Sequence, residues 1–392
     1  MPSPEAPPRS MPPALVHEGE RVLRICNACR YCEGFCAVFP AIERRLQFPE
    51  SDLGYLANLC HDCGECLDAC QYAPPHEFAV DLPRTLSEIR RETYRAYAWP
   101  GVLGRLFTRT GLARFIGVLG APAMALVLVV LAVDPSVLFS AHADAEGAFY
   151  RVVPHDVMIA VFGTLGLLVA VALLVGLVRF WRDAGGTSGR APDPSAVRRA
   201  ASDALTLRYL DGGGPGCAYP EDVASPARRR YHHLTFYGFM LCFAATTVAA
   251  VYHNVMGWPA PYALWSVPVV LGCLGGVGLL VGPAGLLRLK MRRDPERRDR
   301  TQTGMDVTFL VALFLTSLTG FLLLALRESS AMGVTLAVHL GLVAGVFLTM
   351  PYGKFVHGFY RFAALVRNAV EVELEAEAAG EAKRRSGVNP GV

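Results

Sequence analysis

Long apolar runs dominate the chain after residue 114, and each is about as long as a helix that crosses a membrane. A helix needs about 20 apolar residues to span the hydrocarbon core of a bilayer. The pattern therefore predicts six transmembrane helices within a membrane domain at residues 115–360. They lie near residues 115–133, 157–180, 233–253, 264–287, 304–326 and 335–356.

The chain before the first apolar run is more polar and divides into three segments. Residues 1–16 are rich in proline and predict a disordered tail. Residues 17–82 hold most of the cysteines and form a separate domain in this interpretation. Residues 84–114 place many arginines among aromatic and aliphatic residues, which is typical of amphipathic helices at a membrane surface.

Positive charge is concentrated in two connections between the runs. Cytoplasmic loops carry the excess of lysine and arginine, so both connections are expected in the cytoplasm, as are both chain ends and a charged tail at 361–392. The other connections between the apolar runs contain only two lysine or arginine residues, Arg151 and Arg327. The loop at 181–231 contains Arg182, Arg190, Arg198, Arg199, Arg208, Arg228, Arg229 and Arg230, and the one after the fourth run contains Arg288, Lys290, Arg292, Arg293, Arg297, Arg298 and Arg300.

The overall composition agrees with lipid as the main surrounding of the chain. Hydrophobic residues make up 53% of its 392 positions, and the mean hydropathy is +0.33. Soluble chains of this length are less apolar. The formal net charge of +3 is small and gives no reason to expect nucleic acid as a partner.

The cysteines are concentrated near the N-terminus, where eight of the 11 lie between residues 26 and 70. We see no cleavable export signal before them, so we expect a reducing cytoplasm, in which dense thiols favour metal over disulfides. Both runs have the spacing C-x-x-C-x-x-C-x-x-x-C, in Cys26, Cys29, Cys32 and Cys36 and again in Cys60, Cys63, Cys66 and Cys70.

This spacing lets one tight loop present three thiolates to three irons of a cubane, and in two-cluster ferredoxins the fourth cysteine binds the other cluster. We therefore predict two [4Fe-4S] clusters. Pro40 and Pro74 depart from the ferredoxin pattern, because each follows its run by four residues. Structural zinc is the alternative, although it leaves one cysteine of each three-cysteine loop without a role. The predicted sets are Cys26, Cys29, Cys32 and Cys70 for one cluster and Cys60, Cys63, Cys66 and Cys36 for the other.

Histidines lie near both ends of the third and sixth predicted spans. His339 and His357 are 18 residues apart, so a continuous helix would place both on one face, about 27 Å apart. An ionisable residue within a span is a candidate functional site. His232 and His233 open the third span, and His253 closes it.

Two imidazoles that face each other at one depth suit the axial positions of a b-type haem. Because the third and sixth spans run in opposite directions, His253 would face His339 near the outer surface, and His232 or His233 would face His357 near the inner surface. We prefer His232, which lies about 60° from the face of His253, over His233 at about 160°. This predicts one or two haems. The alternative is a set of interfacial or hydrogen-bonded histidines.

The other histidines and a glycine-rich loop carry weaker signals. We interpret His61, His76, His142 and His155 as structural. The loop at 211–220 lacks the Lys-Ser/Thr of a P-loop and the strand and helix of a dinucleotide fold, so it predicts no nucleotide site. It is expected to pack against the cysteine domain or a partner.

Five features together resemble the tricarballylate utilisation protein B family, also called citrate utilisation protein B. They are the two cysteine runs and the segments LDGGGPGCAYP at 210–220, RRYHHLTFYGF at 229–239 and GWPAPY at 257–262. The resemblance covers residues 20–365. It implies a membrane protein with two [4Fe-4S] clusters and b-type haem, which reoxidises the flavin of a dehydrogenase that converts tricarballylate to cis-aconitate. The last span also resembles the haem-binding membrane subunit of respiratory nitrate reductases.

These expectations combine into a mainly α protein, with an N-terminal ferredoxin-like domain that holds two clusters and a six-helix transmembrane bundle. It is expected in the bacterial inner membrane with the clusters on the cytoplasmic side, where an FAD-dependent dehydrogenase would donate electrons for delivery to membrane quinone. The substrate would bind to the partner dehydrogenase, so no catalytic acid, base or nucleophile is predicted in this chain.

Two other functional classes are open at this point. One is a subunit of a heterodisulfide-reductase-like or nitrate-reductase-like complex, which would share the electron path and differ in its partner. The other is a transporter or sensor with a structural metal domain. Transporters usually place broken helices or carboxylates at their substrate site, and the predicted spans contain almost no carboxylates.

Overall fold

The computed structural model describes residues 11–109, 116–142, 147–184, 192–218, 223–293 and 299–385. These residues are mostly helical, and the described ranges contain no strand beyond an isolated bridge between Cys217 and Ser225. Several predicted segments lie partly outside the described residues: the tail at 1–16, the surface segment at 84–114, the loop at 181–231, the glycine-rich loop at 211–220 and the tail at 361–392.

Short helices come first along the chain, and long ones follow. A π-helical turn at Ile116–Gly120 leads into α7. The first group is α1 (Pro13–Cys29), α2 (Val38–Glu43), α3 (Glu50–Leu59), α4 (Glu65–Asp68), α5 (Leu82–Tyr97), α6 (Gly101–Arg109), α7 (Ala121–Ala132), α8 (Pro135–Leu138) and α9 (Ala148–Val152). The second group is α10 (His155–Ala184), α11 (Pro194–Thr206), α12 (Ala227–Asn254), α13 (Val267–Met291), α14 (Arg300–Leu326), α15 (Met332–Thr349) and α16 (His357–Arg385).

Aspartates define the starts of three helices. Asp134, Asp193 and Asp299 precede α8, α11 and α14, and each side chain accepts a hydrogen bond from the backbone N–H two residues later, at 2.8 to 2.9 Å. Such a cap satisfies a donor that the first helical turn leaves unpaired.

Five of the described helices are long and apolar enough to cross a membrane: α10, α12, α13, α14 and the segment Met332–Tyr352 that contains α15. They correspond to five of the six predicted spans and agree with a membrane protein. The remaining run forms a shorter apolar helix, Gly117–Ala132. The exact count of six spans stays a prediction.

The chain divides into two compact units, one with the cysteine domain and one with most of the apolar helices. The first comprises Met1–Tyr97, Val175–Ser225 and His357–Val392. The second comprises Ala98–Leu174 and Pro226–Val356. Contacts within each unit are described below.

In the first unit, α5 buries its apolar side against α1 and α3. Leu86 and Ile89 are fully buried, and a Cβ at Gly19 of α1 would lie 3.0 Å from Cδ1 of Ile89. The amphipathic pattern that predicts a membrane-surface helix from residue 84 is therefore used, up to Tyr97, to cover the cysteine domain.

The C-terminal helix α16 also belongs to this unit, where buried ion pairs hold it on α3 and on Arg45, which follows α2. Arg45 Nε lies 3.1 Å from Asp52, and Arg367 Nε lies 2.9 Å from Glu371. Arg45 also pairs with Glu371, and Arg367 with Asp52. Both guanidinium groups lie over the ring of Tyr55. The start of the predicted C-terminal tail is thus part of the cysteine-domain unit.

In the second unit, α12 and α13 approach each other closely through glycine. A Cβ at Gly238 would lie 2.8 Å from the carbonyl oxygen of Gly275, and one at Gly278 would lie 2.7 Å from that of Leu234. Small residues permit this backbone contact between helices in lipid, where apolar side chains alone provide little drive for association.

Candidate functional site

Each cysteine run is built from a helix end and a sharp reversal of the backbone. Helix α1 carries Cys26 and Cys29 and ends where Arg30 adopts a left-handed conformation with φ 56°. In the second run, α3 ends just before Cys60, and Asp62 and Gly64 have φ of 53° and 91°. Short reversals of this kind turn successive thiols toward one point.

The fold brings cysteines of the two runs together. Cys26, Cys29, Cys32 and Cys70 line a cavity of about 260 Å³. The thiols of Cys70, Cys32 and Cys29 lie close enough to Cys26 to raise its pKa. This group contains three cysteines of the first run and the last cysteine of the second, which is the crossed grouping that the sequence predicts.

A second group forms from the remaining cysteines of both runs. The thiols of Cys63 and Cys60 lie close enough to Cys36 and to Cys66 to raise the pKa of both. Cys32 acts on Cys66 as well, and Cys66 reaches the cavity of the first group. The two groups are therefore neighbours.

Burial and crowding keep these thiols neutral while no metal is bound. Burial, together with neighbouring thiols, raises the pKa of Cys26 and of Cys32 to about 12. Such thiols keep their protons at neutral pH until a metal displaces them. Among the described residues, no three Cys, His, Asp or Glu side chains converge on a single-ion site. A cubane does not require that convergence, because each thiolate binds a different iron. The donor set therefore fits iron–sulfur clusters.

Two arginines contact the backbone of Cys60. Arg90 is 1% exposed and donates from Nε to the carbonyl of Ala57 at 2.7 Å and from Nη2 to that of Cys60 at 2.9 Å. Arg361 of α16 donates to the same Cys60 carbonyl, and its Nη1 lies 3.0 Å from Nδ1 of His61. Burial, and then the nearby Arg90, lower the pKa of Arg361 to about 10.

The glycine-rich loop packs on the cysteine domain. A Cβ at Gly213, where φ is 89°, would lie 2.8 Å from the carbonyl oxygen of Gly34, between Cys32 and Cys36. Ala218 N donates to Glu65, the neighbour of Cys66, at 2.6 Å. Only glycine combines this backbone conformation with this close approach. Of the two predicted positions for this loop, the structure shows the one on the cysteine domain.

In the second unit, His253 contacts another histidine. Its ring lies 3.7 Å from that of His155 and 4.7 Å from that of Tyr150, between centroids. Two imidazole rings whose centroids are 3.7 Å apart leave no room for a haem between them. In this arrangement, His155 and His253 are therefore not the two axial ligands of one haem.

The contacts of His339 are with α14. Its Nδ1 lies 3.0 Å from Oγ1 of Thr319. A Cβ at Gly320 would lie 3.2 Å from its ring. The Thr319 hydroxyl donates to the carbonyl of Leu315 at 2.9 Å, so its oxygen is left to accept from Nδ1–H of His339. The imidazole then presents Nε2 as its lone-pair nitrogen, which is the form that a metal binds. This environment fits a haem ligand.

His339 and His357 do not share one helix. Helix α15 ends at Thr349, two 3₁₀ turns follow at Met350–Tyr352 and Lys354–Val356, and His357 opens α16. Pro351 removes a backbone donor at the break. The shared face expected from 18 residues of continuous helix is therefore wrong. His357 lies in the first unit and His339 in the second.

The other predicted histidines hold simpler positions. His232 and His233 lie in the second turn of α12. Nδ1 of His76 accepts from Phe78 N at 3.0 Å, and Nε2 of His142 lies 2.8 Å from the carbonyl oxygen of Val137. The contacts of His76 and His142 are therefore structural.

Sequence reasoning missed a buried charge cluster in the second unit. Asp306 of α14 lies 2.5 Å from Nζ of Lys290 and 2.9 Å from Nζ of Lys354, and it accepts from Gln302 at 2.8 Å. The available signal was a carboxylate inside a predicted span, which is costly unless it is paired.

Comparison with known proteins agrees with the site. The Fer4-like domain of citrate utilization protein B matches residues 19–96, and the citrate utilization protein B family matches residues 108–380. Citrate utilization protein B of Escherichia coli is 51% identical over 355 residues, which cover 90% of this chain and 92% of that protein. No solved structure matches. With a Fer4-like domain that contains both cysteine runs, and family similarity over nearly its full length, the chain belongs to the citrate utilization protein B family.

Proposed function

We propose that this protein conducts electrons from a reduced flavoprotein, through two [4Fe-4S] clusters and b-type haem, to quinone in the membrane. The observation that carries the proposal is the sorting of eight cysteines from two runs into two adjacent crossed groups. Two neighbouring one-electron centres can pass an electron from one to the other, whereas a structural metal domain does not require adjacent sites.

In this proposal, Cys26, Cys29, Cys32 and Cys70 hold one cluster. Cys60, Cys63, Cys66 and Cys36 hold the other. When bound, the clusters supply reversible one-electron carriers at a potential that charge, hydrogen bonds and burial adjust. The chain contributes the thiolates, the reversals that aim them and the covering glycine-rich loop.

Haem ligation is proposed for the histidines near the ends of the spans. His339 is the best supported, since Thr319 contacts its Nδ1 and Gly320 allows α14 to approach its ring closely. His253, His357 and His232 or His233 complete the candidates for one or two haems. Ligation by His253 requires its ring to separate from that of His155.

The partner, the acceptor and the orientation are also proposed. The donor is an FAD-dependent dehydrogenase, and the family name together with the resemblance to tricarballylate utilisation proteins supports a tricarboxylate as its substrate. The arginine-rich connections support a position of the clusters on the cytoplasmic side of the bacterial inner membrane. A subunit of another respiratory complex would differ only in this donor.

The test is metal content followed by electron delivery. Protein purified anaerobically should contain about eight non-haem irons with matching acid-labile sulfide. A reduced flavin dehydrogenase should then reduce a soluble quinone only in the presence of this chain. Cys29→Ser and Cys63→Ser should each lose one cluster, whereas Cys273→Ser, outside both groups, should keep both. Zinc in place of iron and sulfide would overturn the proposal.

A further inference from the structure

The two predicted cluster sites differ in the charges that surround them. At Cys60, the guanidinium groups of Arg90 and Arg361 converge on one carbonyl oxygen. The charge of Arg90 also acts on the thiol of Cys60. Asp62 is an acidic group that acts on both Cys60 and Arg361.

The other site has a different environment. The ionisable groups that most affect Cys26 and Cys32 are other thiols of the same group. Its cavity includes Tyr31, whose side chain is 68% exposed. This site therefore lies near solvent, where water screens charge, whereas Arg90 and Cys60 are buried.

A positive charge held near a cluster stabilises the form that has gained an electron, and the effect is strong where the effective dielectric constant is low. We propose that Arg90 and Arg361 raise the reduction potential of the cluster held by Cys36, Cys60, Cys63 and Cys66 above that of its neighbour. One electron then leaves the Cys26 cluster, which is oxidised, and reduces the Cys60 cluster. The inference rests on the proposed function, because it requires that both clusters are present.

The position of Arg361 indicates where electrons leave the cysteine domain. His357, a candidate haem ligand, lies four residues before Arg361 on α16, so the two side chains share one side of the helix about one turn apart. The Cys60 cluster is thus the one next to the haem candidate. Electrons enter at the Cys26 cluster and leave the domain from the Cys60 cluster.

The experiment is a redox titration of the full holoprotein in detergent, followed by electron paramagnetic resonance, on variants of Arg361. Arg361→Gln removes the charge and should lower the equilibrium constant for reduction of the Cys60 cluster at least tenfold, which is about 59 mV for one electron. Arg361→Lys keeps the charge and should retain most of the potential. Cys29→Ser and Cys63→Ser assign the two signals to their clusters.

The matched control is Arg84→Gln, on the same helix as Arg90, since Arg84 is half exposed and paired with Glu88. It should leave both potentials unchanged. Arg361→Gln with a wild-type potential, or with equal shifts of both clusters, would overturn the inference. A protein without cluster signals in any variant would instead count against the proposed function.

Discussion

At the scale of single residues, a hydroxyl group decides which nitrogen of His339 can bind a metal. Thr319 gives its proton to the helix backbone and accepts from Nδ1, so Nε2 is left as the ligand atom. Thr319→Val keeps the shape and loses the acceptor. Since loss of such a partner typically costs about 10- to 100-fold in metal affinity, this variant should lose haem during purification, as measured by pyridine haemochrome content and low-temperature spectra.

Thr319→Ser is the matched control, because serine keeps the hydroxyl. It should retain the wild-type haem content and spectrum. Equal haem content in the valine and serine variants would show that His339 does not depend on this hydrogen bond.

At the scale of helices, one carboxylate joins three elements of the second unit. Asp306 on α14 pairs with Lys290 at the end of α13 and with Lys354 in the turn after α15. Asp306→Asn would leave two largely buried ammonium groups without their counterion, and breaking a buried pair costs about 3–5 kcal/mol. We expect a clearly lower temperature of thermal unfolding in detergent.

Glu328→Gln provides the comparison at this scale. Glu328 also pairs with an arginine, Arg327, but its side chain is 71% exposed, and exposed pairs contribute about 1 kcal/mol or less. Its unfolding temperature should stay close to that of the wild type. If Asp306→Asn were equally stable, the cluster would not hold these helices together.

At the scale of the whole molecule, the candidate haem ligands are divided between the two units, and His357 belongs to the unit with the cysteines. If His357 binds the haem nearest the clusters, His357→Ala should remove one haem component. It should also stop reduction of the other haem by a reduced flavoprotein, while both clusters stay reducible. Haem spectra recorded during reduction from the flavin side would measure this.

His142→Ala is a suitable control for that experiment, since His142 bonds to a neighbouring backbone carbonyl. It should keep every spectral component and the normal order of reduction. A His357→Ala protein that retained all its haem would refute the role assigned to His357.

Local sequence patterns were enough to predict much of this protein. Apolar length predicted six spans, and five of them are helices that could cross a membrane, because the thickness of a bilayer imposes a minimum length on any single helix. The spacing within each cysteine run predicted metal binding, because three thiols separated by two residues can face one cluster from one loop. The precedent of two-cluster ferredoxins also predicted the crossed grouping that the structure brings together around Cys26 and Cys70.

Tertiary structure decided the features that depend on distant residues or on a local break. Arg361 donates to the carbonyl of Cys60, which lies 301 positions away in the chain. Asp306 pairs with two lysines from other elements. No periodic pattern in the sequence predicts such contacts, because they form only when separate helices pack. The single helix that was predicted to contain both His339 and His357 is interrupted at Met350–Tyr352. The direction of a side chain around a helix can be calculated from its position only while the helix is continuous. Beyond a break, only the folded chain determines which histidines face each other.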